Sequence, residues 1–261
     1  MTALLTSAYF APVQWYQKLY RYPQVLIEHC DSYQKQTYRN RCLIATANGV
    51  QALTVPVDVR PDGAYISDHG NWRHQHWQAL TSAYGDSPFF IYYEDDLRPF
   101  FTERWERLYD FNLAICRKMC ELLDIHPHLS VTTEYVSSLG NNQSDSVKDG
   151  SNHNSCVPAV ASDQRSSAQF SILNSCVPTV SAQPSSGFVK DWSNHNSQFS
   201  ILNSQLKIDF REIIHPKHPQ PDPQFEPRRY YQVYEQRHGF LANLSILDLL
   251  FNMGPESIFF L

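Results

Sequence analysis

ALLTSAYFAPVQWYQKLYRYPQVLIEH, residues 3–29, decides the class of the fold. Residues 3–10 form an apolar, strand-like run, and residues 12–22 read as a helix opening on Pro12, whose fixed φ suits a first turn. Residues 24–29 return to a strand rich in branched side chains. Strand, helix, strand within so short a stretch is a βαβ unit and predicts an α/β protein with parallel pairing. Working outward, residues 41–46 and 50–57 flank Asn48-Gly49, a dipeptide that tolerates positive φ and signals a hairpin. That pairing is antiparallel, so the expected architecture is a mixed sheet with flanking helices.

Three further helices are expected. Asn71 is placed to cap one running to Tyr84, with Gly85 as a left-handed stop and Trp72, His76, Leu80 and Ala83 as its apolar stripe. A longer helix is expected over residues 102–124, striped by Trp105, Leu108, Asn112, Ile115, Met119 and Leu122. Ser245-Ile246-Leu247-Asp248 has the spacing of a capped helix start, which Gly254-Pro255 closes, and residues 215–227 read as a Pro-rich extended crossing.

Between residues 139 and 205 the composition changes. Thirty of these 67 residues are Ser, Asn or Gln, and none of the chain's 15 tyrosines falls there. Residues 147–155 recur at 189–197, residues 169–175 at 198–204, and Cys156-Val157-Pro158 at Cys176-Val177-Pro178. The offsets differ, whereas a solenoid needs a constant one, so a disordered, repeat-derived insertion is expected. Residues 1–138 and 206–261 are then expected to form one domain of ordinary size.

Composition excludes several classes of function. The net charge of -5 argues against nucleic acid as a partner, because such binding rests on clustered cations. No window has the apolar length of a membrane span, and six irregularly placed cysteines are not a disulfide framework, which predicts a cytoplasmic location. The nine glycines never fall into G-x-G-x-x-G, and the P-loop, H-E-x-x-H and G-x-S-x-G patterns do not occur. No metal is expected from the histidine spacings, and no cofactor is indicated.

Candidate site residues come from polar groups in apolar or sheet-end positions. Asp31 follows the second strand at its carboxyl end, where open α/β sheets bind ligands. Arg39 and Arg41 alternate along the approach to a strand and suit a phosphate or carboxylate, or equally an edge paired with Asp31 or Glu28. His76 and Asn112 interrupt helical stripes, as core groups tying elements together or as members of a pocket, and Asp248 reads as a capping residue.

In combination the residues resemble the WbqC-like family. The resemblance rests on Tyr9-Phe10-Ala11-Pro12-Val13-Gln14-Trp15 with Lys18 and Leu19, Tyr38-Arg39-Asn40-Arg41, Leu53-Thr54-Val55-Pro56-Val57, Trp72 and His76. It continues in Tyr84, Ser87-Pro88-Phe89-Phe90, Asp110-Phe111-Asn112, Tyr231-Gln232 and the run from Asn243 to Pro255. It implies a role in surface polysaccharide, O-antigen or lipopolysaccharide assembly, with a nucleotide sugar or lipid-linked glycan intermediate as partner. On that reading His76 or Asp31 is the general base, Arg39 and Arg41 hold the anionic part of the substrate, and Asn40, Asn112 and Gln232 orient it. The competing reading is a sugar-binding or assembly module without catalysis, using the many Tyr and Trp rings.

Overall fold

Strand β1 (Thr2–Thr6) is buried along its whole length, helix α1 (Val13–Arg21) follows, and strand β2 (Gln24–Glu28) returns parallel to β1 with Thr2 opposite Gln24 and Thr6 opposite Glu28. The computed structural model describes residues 1–137 and 207–261, which belong to one compact unit. The repeat-bearing stretch 139–205 lies outside the described residues. The first strand stops at Thr6, short of Phe10, because Phe10 takes a positive φ of 39° and the Tyr9 amide bonds instead to the Tyr38 carbonyl.

Two short strands complete this sheet. Strand β7 (Leu129–Val131) pairs parallel with β2, and strand β8 (Lys207–Asp209) pairs parallel with β1, giving the order β7-β2-β1-β8. Every strand of it points the same way, so four carboxyl ends share one edge. The antiparallel pairing is present as well but stands apart, in two two-stranded sheets: β3 (Arg41–Thr46) with β4 (Gly49–Thr54), and β5 (Val57–Arg60) with β6 (Gly63–Ile66). Gly49 makes the first hairpin turn at φ 105°. The expected strand 50–57 is broken after Thr54, where the Val55 amide donates to Asn40 and Pro56 offers no donor for a continuing ladder.

The helices flank these sheets. Helix α2 (Trp72–Tyr84) buries Trp72, His76, Leu80 and Ala83 as its stripe predicts, but its ends differ from expectation. Asn71 sits in the left-handed region without a side-chain cap, and Gly85 is right-handed, prolonging the last turn. Helix α3 (Phe90–Leu97) runs almost directly into the short α4 (Pro99–Thr102). The long helix is α5 (Leu108–Leu122), not residues 102–124, because extended backbone at Glu103 and Arg107 separates it from α4. Trp105, off the helix, still packs against Phe100 and Phe111.

After β8 the chain crosses α1 as residues 215–227, makes the single turn α6 (Glu235–His238) and ends in α7 (Ile246–Met253). Asp222 on the crossing accepts from Gln14 at 2.8 Å and pairs with the buried ammonium of Lys18 at 2.7 Å, so the polar face of α1 is satisfied by a distant segment. Ser245 caps α7, its Oγ accepting from the Leu247 amide. Gly254 ends it at φ 56°, and a Cβ there would lie 2.5 Å from the Phe89 ring, so only glycine fits. Five apolar side chains of α7 are fully buried. At about 1.5–3 kcal/mol each, they outweigh the desolvation of the acid that the same helix carries inward.

Candidate functional site

A polar cavity of about 300 Å³ opens at the shared carboxyl edge of the parallel strands. The loop after β2 gives it Cys30, Asp31, Ser32 and Gln34, the chain beyond β7 gives Tyr135, and the end of β8 gives Asp209, Arg211 and Glu212. Parallel pairing alone brings these three segments together, since it aligns strand ends that are distant in sequence.

Arg211 organises the floor. Its Nε lies 3.0 Å from Asp209 Oδ1 and its Nη2 lies 2.7 Å from Asp209 Oδ2, a two-pronged pair. Nη1 reaches Glu28 Oε2 at 3.2 Å, Nη2 also donates to the Val136 carbonyl, and the guanidinium stacks 5.0 Å above the Tyr135 ring. Glu28, on β2, accepts in addition from Thr132 Oγ1 at 2.6 Å and from the amides of Cys30 and Val136 at 3.0 Å each. Its carboxylate is thus held by one cation and three further donors while almost wholly buried. Hydrogen bonding to Asp209 holds the Arg211 guanidinium above its ordinary range, against the opposing pull of burial.

Asp31 stands at the wall and pairs with Arg39, which also donates to Thr37 Oγ1. Asn112 on α5 donates to the Arg39 carbonyl at 2.7 Å and faces Ser7 Oγ at 3.5 Å. Asn40 donates to the Val55 carbonyl at 2.8 Å, and Arg41 Nε donates to Thr54 Oγ1 at 3.0 Å. Burial raises the Tyr33 hydroxyl, and the charges of Arg39 and Arg41 both oppose that shift. Asp31, Arg39 and Asn112 are thus linked by hydrogen bonds, while the side chains of Asn40 and Arg41 turn to β4 and the residue after it; of the five only Asp31 lines the cavity. The Oδ1 atoms of Asn40 and Asn112 are buried without a hydrogen-bond partner.

His76 lies deeper. Burial lowers its imidazole to about 4, and a backbone hydrogen bond to Thr54 opposes the shift. The Tyr9 hydroxyl sits 2.9 Å from Nδ1, and a group held at about 4 is neutral at neutral pH. His76 is buried on α2 and does not line the cavity. Gln232 is elsewhere: its Nε2 lies 2.8 Å from Asp248 Oδ2 and 2.9 Å from the Leu241 carbonyl, and its Oε1 accepts from the Leu241 amide.

Asp248 is not the capping residue that its spacing suggests. Its carboxyl accepts from Tyr84 at 2.9 Å, from Tyr230 at 2.7 Å and from Gln232, with no cation paired to it among the described residues. Burial pushes it up to about 6, while these three donors pull it down. The helix-start amide it would have capped is used instead by the Leu43 carbonyl.

The sequence reading missed Asp209, Arg211, Glu212 and Tyr135. A signal was present in Lys207-Ile208-Asp209-Phe210-Arg211, an alternation of charged and apolar residues that places Asp209 and Arg211 on one side of a strand end. Its position directly after the Ser-rich stretch obscured it.

The sequence profile of the WbqC-like protein family matches residues 7–169, more than half of the chain. The chain belongs to the WbqC-like family. The match takes in β2, the loop bearing Asp31, Arg39, Asn40 and Arg41, and helices α2 to α5, while Asp209, Arg211 and Glu212 lie beyond it. A Mycobacterium tuberculosis (strain ATCC 25618 / H37Rv) protein described as "Uncharacterized protein Rv1507c" is 26% identical over 98% of this chain and 94% of its own length. No solved structure matches the chain. Among the described residues, no helix of this WbqC-like protein is long and apolar enough to cross a membrane, and no three His, Cys, Asp or Glu side chains are grouped so as to hold a metal ion.

Proposed function

We propose that this WbqC-like protein is an enzyme of surface-polysaccharide or O-antigen assembly that binds the sugar of a nucleotide sugar or lipid-linked glycan intermediate at the carboxyl edge of its parallel sheet. One observation carries the reading. The cavity there combines three carboxylates (Asp31, Asp209, Glu212), the Gln34 amide, the Ser32 hydroxyl and the Tyr135 ring around a fixed guanidinium. Sugar hydroxyls both donate and accept, so acids and amides recognise them, and an aromatic face suits the apolar side of a sugar ring. The volume falls at the lower end of small-ligand sites.

Asp31 is the group placed to act as general base. In a transfer step, the acceptor hydroxyl or amine forms the new bond to the transferred group and gives its proton to Asp31, while the departing phosphate takes the electrons of the broken bond. Arg39 and, behind it, Asn112, Asn40 and Arg41 are positioning residues for the loop that carries Asp31. His76 does not line the cavity and is given a packing role; Gln232 serves the Asp248 network.

A second reading, a binding module without catalysis, is favoured by one observation: Asp31 is already paired with Arg39, while His76, whose Nδ1 meets the Tyr9 hydroxyl, does not line the cavity. A panel of nucleotide sugars separates the readings, with thermal stabilisation and product mass spectrometry as readouts. Stabilisation of the wild type that Asp31→Asn loses supports the cavity, and product formed only by the wild type makes it an enzyme. Stabilisation without product makes it a binding module, and no stabilisation by any member sinks the proposal.

A further inference from the structure

A second cavity, of about 400 Å³, lies away from the sheet edge, between the start of α2 and the α3–α4 junction. Its character differs from that of the first. Three arginines line it, Arg73, Arg98 and Arg104, with a single carboxylate, Asp68, and an aromatic wall made by Trp77 and Phe101, whose ring centroids are 5.4 Å apart. Arg73 and Arg104 share that one acid at 2.6 Å and 3.7 Å, while Arg98 has no carboxylate partner among the described residues and lies 6.0 Å above the Trp77 ring. Positive charge is therefore in excess here although the chain as a whole is acidic.

Arg73 adds an independent sign. Its side chain is 15% exposed, and only Nη1 finds an acceptor, in Asp68. Nε and Nη2 are buried with no hydrogen-bond partner, the face of the guanidinium lying 4.7 Å from the centroid of the Trp72 ring. Leaving guanidinium donors unsatisfied away from water is costly, and a residue with a planar fork of donors is the usual means of gripping phosphate. Aromatic walls beside guanidiniums complete a recognisable pairing of surfaces: a flat ring stacks on the indole while the attached phosphates meet the cations.

The geometry points to a second ligand site, distinct from the sheet-edge cavity, that takes a nucleoside phosphate, with the base against Trp77 and Phe101 and the phosphates on Arg73, Arg98 and Arg104. The same chemistry serves a free nucleotide or the nucleotide half of an activated sugar. The inference does not rest on the sugar cavity, and each stands or falls by its own residues.

Uridine diphosphate, uridine and inorganic pyrophosphate are the probes, read by calorimetry and by Trp fluorescence. Uridine diphosphate is expected to bind at least tenfold more tightly than either fragment and to quench fluorescence, since both surfaces contribute. Arg98 and Arg104 are exposed, so the double variant R98A/R104A keeps the fold, checked by an unchanged urea midpoint, and is expected to weaken uridine diphosphate at least tenfold. Equal affinity in the double variant overturns the site, as does a wild type that binds none of the probes. Binding that survives R98A/R104A but is lost in Asp31→Asn assigns the nucleotide to the sheet edge and overturns it too.

Discussion

Glu28 and Asp248 are both buried acids, 3% and 1% exposed, yet their surroundings are built on different principles. Glu28 faces a guanidinium, two amides and a hydroxyl beside an open cavity; Asp248 faces two phenols and a carboxamide inside a sealed core. Neutral donors satisfy the oxygens but only partly offset the loss of water, so Asp248 holds its proton to about 6. The sealed acid ties the C-terminal helix to the N-terminal half; the paired acid braces Arg211 in the floor of a cavity.

The largest effect expected from breaking this contrast is at Arg211. Arg211→Ala leaves Glu28 buried without its cation and frees Asp209, and the stability measured by urea unfolding should fall by about 3–5 kcal/mol, the usual result of halving a buried pair. Next is a pH test. Asp248 is at 3.8 when unfolded and about 6 when folded, so the folded state binds the extra proton and stability falls as pH rises from 4 to 6. His76 is at 6.5 when unfolded and about 4 when folded, so its contribution runs oppositely, full above 6.5 and lost as pH falls towards 4. The two nearly cancel in the wild type. Asp248→Asn should unmask the histidine, giving a stability that climbs by about 3 kcal/mol across that window in urea titrations at stepped pH, and a flat profile would refute the opposition.

A smaller effect is expected at Tyr84. Its hydroxyl both donates to Asp248 and accepts from the Ala45 amide at 3.1 Å, so Tyr84→Phe strands one group on each side and should cost about 1–2 kcal/mol by the same unfolding assay. Asp31→Asn keeps the shape and an acceptor for Arg39, so its cost should stay below that of Arg211→Ala. Its main effect should be to abolish stabilisation by a nucleotide sugar, which separates the role of the wall from that of the floor.

What the sequence disclosed follows the same division. Local signals were legible: the βαβ start, the Asn48-Gly49 hairpin, the stripe of α2 and the Ser245 cap all depend on neighbours within a few residues. Parallel pairing depends on none, and β7 and β8 are three residues each, too short for periodicity to register. The floor of the cavity was therefore far harder to read than Asp31 at its strand end, the short alternation at residues 207–211 being its one sign. Asp248 misled because capping spacing and inward burial coincide at the third helical position. The segregation of the hairpins from the parallel sheet likewise turns on tertiary contacts such as that of Val55 with Asn40, which no local pattern encodes.

Because Arg211 stands 183 positions after Glu28, synthesis order imposes a condition on assembly. A nascent chain presents β1, α1, β2 and every helix through α5 before the cation of the floor exists. Until then Glu28 cannot be sequestered cheaply, and the edge of β1 that β8 will occupy stays unpaired. Strand β8 thus works as a latch that only a chain extended past Arg211 can throw, and ribosome-bound chains truncated before β8 should remain open to protease at the segment spanning residues 132–136.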